Sequence, residues 1–175
     1  MGIVHVNSER PAGVIRQFEL SDLEGVLDIE QASFGEEAWN RKLFLAYFRK
    51  TPDLFLVAMA GRRIAGYIIT RVGSRNAELA SIAVHPHHRR GGIGEGMLRK
   101  ILSELRLRRG KTWWLMAGVE NEGAIRFYEK FGFVKTRRVK RYYAPGRDAW
   151  RMLLSIETPL KATTKARGTV RATTR

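Results

Sequence analysis

The run VHPHHRRGGIGEGMLRKIL, Val84 to Leu102, holds four glycines in six positions directly behind Arg89 and Arg90. A turn that rich in glycine, opening onto a helical pattern, is built to bring backbone N–H groups up to an anion. Spacing tests which anion. A dinucleotide fingerprint needs G-x-G-x-x-G, but Gly92-Ile93-Gly94-Glu95-Gly96-Met97 sets its last glycine one place early. A P-loop needs Gly-Lys-Ser/Thr, and Gly96 is followed by Met97-Leu98. What remains is a strand, a turn of free amides and a helix N-terminus, an arrangement that suits a pyrophosphate. Read alone, the glycines are better explained as a tight turn without a ligand. The adjacent His85, His87 and His88 lack further ligands at helical i, i+4 spacing, so they read as loop histidines and no metal site is expected.

The elements that must position this turn follow from periodicity. AGVIRQFEL (Ala12 to Leu20) alternates like a strand. Ser21 is placed to cap the helical pattern SDLEGVLDIEQASF, with Leu23, Val26, Leu27 and Ile29 on one side and Glu24 at the capping-box position. A second helix is expected over Trp39 to Arg49. DLFLVAMA and RIAGYIITRV form a hairpin around GRR, and AELASIAV (Ala77 to Val84) is a strand ended by Pro86. Ile93, Met97, Ile101 and Leu105 mark a helix that stops at Gly110. TWWLMAGV is a strand, Asn121 caps the short helix EGAIRFYEKF, and FVKTRRVKRYY and DAWRMLLSI pair across APGR. The order β-α-α-β-β-β-α-β-α-β-β describes one α/β domain around a single mixed sheet.

Bulk composition narrows the setting. A chain of 175 residues buries roughly 70% of its unfolded surface, enough for a core without staples. It has no cysteine, which excludes disulfides, zinc–thiolate sites and a thiol nucleophile. No secretory signal and no membrane-spanning run is visible, so a soluble cytoplasmic protein is expected. The net charge is +15. Residues 159–175, PLKATTKARGTVRATTR, carry five basic side chains and no acidic one, and are expected to form a disordered basic tail. Without them the chain keeps 27 basic against 17 acidic side chains, net +10. Such a surface suits RNA, a ribosome or an anionic cofactor, and also occurs as a solvated face.

Two motifs in series resemble the GNAT acetyltransferase superfamily. Arg89, Gly92 and Gly94 occupy the fixed places of its acetyl-CoA motif, R/Q-x-x-G-x-G/A, after the run-in SIAVHP, and ENEGAIRFYEKFGFVK is similar to its second motif. The likeness runs from about Ile15 to Ile156 and implies the GNAT fold over residues 12–158: a mostly antiparallel sheet flanked by helices, with acetyl-CoA as co-substrate. Within the superfamily, IEQASFGEEAW, LASIAV and RYYAPGRDAWRM most resemble the RimI-type ribosomal-protein-alanine N-acetyltransferases.

The resemblance assigns roles. The thioester would lie on Ile82-Ala83-Val84, and the pyrophosphate on the turn of Arg89, Arg90, Gly91, Gly92, Ile93, Gly94 and Glu95. Asn121 would touch the cofactor as well as cap its helix. Tyr128 would be the general acid that protonates the departing thiolate, and Tyr142 and Tyr143 would shape the slot for a peptide's first residues. One position departs from the pattern. Five residues before Asn121, where RimI-like enzymes keep a glutamate base, this chain has Met116. Glu36, Glu37 and Glu78 are the substitute bases the sequence offers, each more readily explained as a surface carboxylate. The implied activity is acetylation of a protein or peptide N-terminal amine. A small-molecule amine acceptor, or a non-catalytic module binding CoA, RNA or the ribosome through the basic tail, are the competing readings. Oligomeric state is left open.

Overall fold

The computed structural model describes residues 13–143 and 145–157. The tail expected over 159–175, and the outermost residues of the domain expected over 12–158, lie outside the described residues. The elements are β1 (Ile15–Gln17), α1 (Leu23–Phe34), α2 (Arg41–Lys50), β2 (Phe55–Ala60), β3 (Arg63–Val72), β4 (Asn76–Val84), α3 (Ile93–Leu107), β5 (Thr112–Gly118), α4 (Glu122–Phe131), β6 (Val134–Tyr143) and β7 (Arg147–Ser155). The seven strands form one sheet in the order β1-β2-β3-β4-β5-β7-β6. Neighbours are antiparallel except β4 and β5. This is the single mixed sheet that the pattern of elements implies, mostly antiparallel as the family resemblance implies.

Side-chain alternation divides the core between the two faces of the sheet. On β3, Ile68 joins a cluster with Leu98, Ile101, Leu102, Leu105, Trp113 and Met152, which α3 and α4 cover. Its neighbours Tyr67 and Ile69 join the opposite cluster with Val26, Ile29, Phe44 and Phe55, which α1 and α2 cover. In that second cluster Phe18 stacks on Phe55 with centroids 4.0 Å apart, and Phe44 meets the Tyr67 ring edge-on at 5.4 Å. Such pairs fix ring orientation as well as burying area, so Tyr67 is a rigid wall.

Two boundaries differ from the sequence reading. The first strand shortens to Ile15–Gln17, because Arg16 turns to clasp Asp22 through two hydrogen bonds of 2.6 and 2.7 Å. Ser21 is therefore not the cap of α1. It lies within a 3-10 turn, Leu20–Asp22, and Asp22 accepts the Glu19 N–H at 2.8 Å. A carboxylate already ion-paired and amide-bonded outcompetes a serine hydroxyl for that corner. Glu24, expected to complete a capping box, instead pairs with Arg41. The second helix starts at Arg41, two residues later than expected, with Asn40 as its cap accepting the Leu43 N–H at 3.0 Å.

The feature that makes a site is a failure of pairing. β4 and β5 run side by side only at Asn76–Thr112, Ala77–Trp113 and Glu78–Trp114. Beyond Glu78 they part. Register explains the divergence: Ile69 of β3 faces Ser81 while Thr70 faces Leu79, so Ala80 is an extra residue bulged into β4. A bulge bends and twists its strand, and here it swings the C-terminal half of β4 away from β5.

Candidate active site

The gap between the parted strands is a cavity of about 410 Å³. β4 gives it Glu78 to Ile82, and β5 with its following loop gives Leu115 to Asn121. Tyr128 of α4 forms one wall. The α1–α2 connection (Phe34, Glu37, Trp39) and the β6–β7 hairpin (Tyr142, Tyr143, Arg147, Asp148) form the outer walls. An Arg147–Glu37 ion pair ties those two outer segments together.

Strand β4 carries unspent hydrogen-bonding groups into this gap. The His85 N–H donates to Ala65 O across to β3 at 2.9 Å. Alternation then directs the Ala83 N–H to β3 also, and the Ile82 and Val84 N–H groups to the side that β5 has left. The Val84 carbonyl, on that same side, accepts from Arg89 Nε at 3.0 Å. Of the three residues expected against a thioester, Ile82 and Val84 therefore offer donors, and Ala83 contributes only its place in the strand.

The glycine turn stands at the C-terminal end of β4. Gly92 takes φ +79°, a conformation costly for any residue with a Cβ, and starts α3 with no side-chain cap. The first bond inside the helix is Gly96 N–H to Gly92 O, 2.9 Å, so the N–H groups of Ile93, Gly94 and Glu95 are the orphan donors of a helix N-terminus. A Cβ at Gly94 would lie 3.3 Å from Phe127 Cζ. Bare amides at a positive helix end, with no side chain in the way, fit a pyrophosphate. Arg89 is engaged below the turn, with Val84 O and with Ser33 Oγ at 3.3 Å, while Arg90, at φ +66°, is exposed. Phe127 touches the turn and its neighbour Tyr128 lines the cavity, so α4 connects the two places.

Tyr128 is 9% exposed. Its ring packs beside Phe127 and edge-on to Phe133 at 5.8 Å, and its hydroxyl has no hydrogen-bond partner among the described residues. Burial, with Tyr143 nearby, pushes its pKa well above that of free tyrosine. The hydroxyl thus stays protonated and available as a donor. Tyr143 donates to the Met116 carbonyl at 3.1 Å, and burial followed by Tyr142 pushes its pKa up to about 12. Tyr142 is 47% exposed and meets Tyr143 edge-on at 4.8 Å. Asn121 lines the cavity and caps α4, accepting the Ala124 N–H at 3.0 Å. Asn121→Ala is expected to cost about 1 kcal/mol of stability, a fall of about 2–4 °C in Tm, recovered by Asn121→Ser. Thermal melts of the three proteins check it.

The carboxylates sort differently from the sequence reading. Glu36 is exposed and lies outside the cavity wall. Glu37 lines the cavity but pairs with Arg147, and Glu78 lines it but pairs with Arg71, whose Nε lies 2.8 Å away. The residue that sequence reasoning missed is Glu30. It is 2% exposed and reaches the cavity wall from α1. One oxygen accepts the Trp39 N–H at 2.8 Å and the other accepts the Tyr67 hydroxyl, which lies 2.9 Å from Ser81 Oγ. Burial raises its pKa, against the two hydrogen bonds that lower it. The signal was present: Glu30 stands four residues after Val26 and seven after Leu23, on the apolar stripe itself. Of the loop histidines, His87 stacks on His85 and His88 meets it tilted, and among the described residues no group of three or more His, Asp or Glu could hold a metal ion.

Comparison with known proteins bears on what such a site does. The model of the acetyltransferase (GNAT) family matches residues 23–133. The [ribosomal protein bS18]-alanine N-acetyltransferase of Escherichia coli K12 is 32% identical over 134 residues, covering 77% of this chain and 88% of that one. The crystal structure of Ard1 from Thermoplasma volcanium superposes with a TM-score of 0.79 at 32% identity, over 82% of this chain and 97% of that one. Naa20 from Chaetomium thermophilum, in complex with a bisubstrate analogue, superposes with a TM-score of 0.75 at 26% identity, over 81% and 86%. With a splayed β4–β5 pair, a glycine turn at the head of α3 and a family match across most of the sheet, this chain belongs to the GNAT acetyltransferase family.

Proposed function

We propose that this N-acetyltransferase moves the acetyl group of acetyl-CoA onto the α-amine of a protein or peptide N-terminus. The observation that carries the reading is the cavity between β4 and β5. It has Ile82 along one side, with Val84 just beyond it on the same edge of β4, Tyr128 on another side, and outer walls that leave room for a chain end beside Tyr142 and Tyr143. Relatives whose names specify N-terminal or protein alanine acetylation support the same acceptor class.

The thioester carbonyl lies along β4, where the Ile82 and Val84 N–H groups stabilise the oxyanion that forms as the amine attacks. Positioned donors of this kind are each worth about 10²–10³ in rate. Ile93, Gly94 and Glu95 hold the pyrophosphate on their amides. Tyr128, kept neutral by its burial, faces the departing sulfur as proton donor. The slot between Glu37–Trp39 and Tyr142–Tyr143 admits the first residues of the acceptor.

The identity of the amine follows from energetics. Met116 cannot take a proton directly from the attacking nitrogen as a carboxylate there would, so an amine that deprotonates readily is favoured. An α-amine has a pKa of about 7.7–8.0, and freeing it at pH 7.5 costs about half a kcal/mol. A lysine at about 10.4 costs about 4 kcal/mol. A site without a carboxylate at Met116 therefore favours α-amines. Locating the acetyl group on acceptors that carry both amines tests the proposal.

A further inference from the structure

The proposed reaction releases a proton from the attacking amine, and the position of the family's usual acceptor holds Met116. Elsewhere on the wall of the same cavity, Ser81 and Glu30 are joined through the buried Tyr67 hydroxyl in a continuous hydrogen-bonded line, and none of the three has a role in binding the cofactor. Ser81 lines the cavity from β4, two residues beyond Leu79 at the bulge. Its oxygen is 2.9 Å from the Tyr67 hydroxyl, which donates to Glu30. We propose that Ser81, Tyr67 and Glu30 are the proton relay of this enzyme, a role that rests on the acetyl-transfer reading above.

The chemistry balances as follows. The amine lone pair forms the N–C bond to the thioester carbonyl, and the nitrogen loses a proton to Ser81 Oγ. Ser81 passes its own proton to the Tyr67 oxygen, and Tyr67 passes its proton to the Glu30 carboxylate. Collapse of the tetrahedral oxyanion breaks the C–S bond, and the sulfur takes the Tyr128 proton. Glu30 returns its proton to solvent and Tyr128 regains one as products leave. Neither hydroxyl of the relay is ever left ionised if the transfers are concerted, which matters because burial and Glu30 hold Tyr67 well above the ordinary tyrosine pKa.

Placement explains why Glu30 can serve. A carboxylate on an apolar helix face costs free energy unless it is hydrogen-bonded, and Glu30 has only two donors, Trp39 N–H and Tyr67 O–H. No cation pairs with it among the described residues. The titratable and charged groups that line the cavity with it are Glu78 from β4, Glu120 from the loop after β5, Tyr128 from α4, and Glu37, Tyr142, Tyr143, Arg147 and Asp148 from the outer walls, while Tyr67 of β3 is bonded to it directly. Glu37 and Glu78 are each neutralised by an arginine. A base with a pKa lifted toward the working pH is better matched to its task than an exposed carboxylate. The Trp39 bond also anchors the α1–α2 connection, so a purely structural role is the competing explanation, and the test must separate the two.

The test measures kcat, KM and the pH profile of kcat/KM with an α-amine peptide for the wild type and for Glu30→Gln, Tyr67→Phe and Ser81→Ala. Ser81→Ala leaves the Glu30–Trp39 clasp untouched and keeps the test valid should Glu30→Gln fold poorly. The relay predicts that each variant loses about 10²-fold in kcat with an unchanged KM for acetyl-CoA. The acidic limb of the profile set by Glu30 disappears in Glu30→Gln. Ser81→Ala combined with Glu30→Gln is no worse than either alone, as members of one unit behave. Variants within about threefold of wild-type kcat and with the same acidic limb, or losses that multiply, overturn the relay while leaving the proposed function standing. A wild-type chain that acetylates no α-amine overturns the functional reading, and the relay with it.

Discussion

Tyr128→Phe is expected to lower kcat by about 10²- to 10³-fold, in the range that a positioned general acid contributes, with stability unchanged or slightly improved. The two halves of that expectation come from the same observation. The residue is buried at the cavity wall, and its hydroxyl has no hydrogen-bond partner among the described residues. Phenylalanine keeps every ring contact with Phe127 and Phe133 and removes a hydroxyl that makes no hydrogen bond among the described residues, so no stabilising bond is lost. Because the group's pKa stands far above neutrality, it is protonated throughout the working range. Its loss therefore removes a constant factor and adds no new pH dependence. Steady-state kinetics between pH 6 and 9 beside a thermal melt would check both halves. A variant with full kcat would remove Tyr128 from the mechanism, and one with a lowered Tm would show that the hydroxyl is structural.

The second large effect is on cofactor binding. Gly94→Val is expected to weaken acetyl-CoA by about 10²-fold or more, with a much smaller change in kcat at saturation. Gly94 lies in the first turn of α3, where its N–H has no partner within the helix. A Cβ would already stand 3.3 Å from Phe127 Cζ and 3.7 Å from Val84 Cγ2. The further methyls of valine must crowd those side chains or cover the amides. A hydrogen bond to a charged group is worth about 1.5–3 kcal/mol, so hindering one or two reaches about 3 kcal/mol, which is about a hundredfold. Gly94→Ala is the graded control: its single Cβ fits with a shift of a few tenths of an ångström, so its loss should be several-fold. Calorimetric titration with CoA reads the affinities without turnover. Equal affinities for all three proteins would place the pyrophosphate elsewhere.

These expectations depend on parts of the molecule that were unequally visible in the sequence. The order of elements was legible because each carries its own period: the Ile93, Met97, Ile101, Leu105 stripe became α3, and Asn121 capped α4 as its residue type implies. The corner at Ser21 was misread because the competing partner, Arg16, acts from the preceding strand through Asp22, and local capping rules see only the helix side. The Ala80 bulge left no local mark. It exists in the pairing of β4 with β3, and without it the strands would not part to make a cavity. Glu37 and Glu78 looked available because their arginine partners come from Arg147 and Arg71, brought near only by folding. Glu30 was hidden for the opposite reason. It sits on an apolar stripe where a carboxylate reads as an imperfection, and its donors come from Trp39, nine residues on, and from Tyr67 across the core.

The central claim is that the acceptor is an α-amine, and one measurement addresses it directly. Peptides varied at their first two residues, each with a free N-terminus and one internal lysine, are incubated with acetyl-CoA and the enzyme, and tandem mass spectrometry locates the acetyl group. The account predicts acetyl on the α-nitrogen of a subset defined by those first residues, an unmodified lysine in every peptide, and no product when the N-terminus is formylated. Acetyl-lysine in the formylated peptides, or a panel in which only small-molecule amines are acetylated, would contradict it.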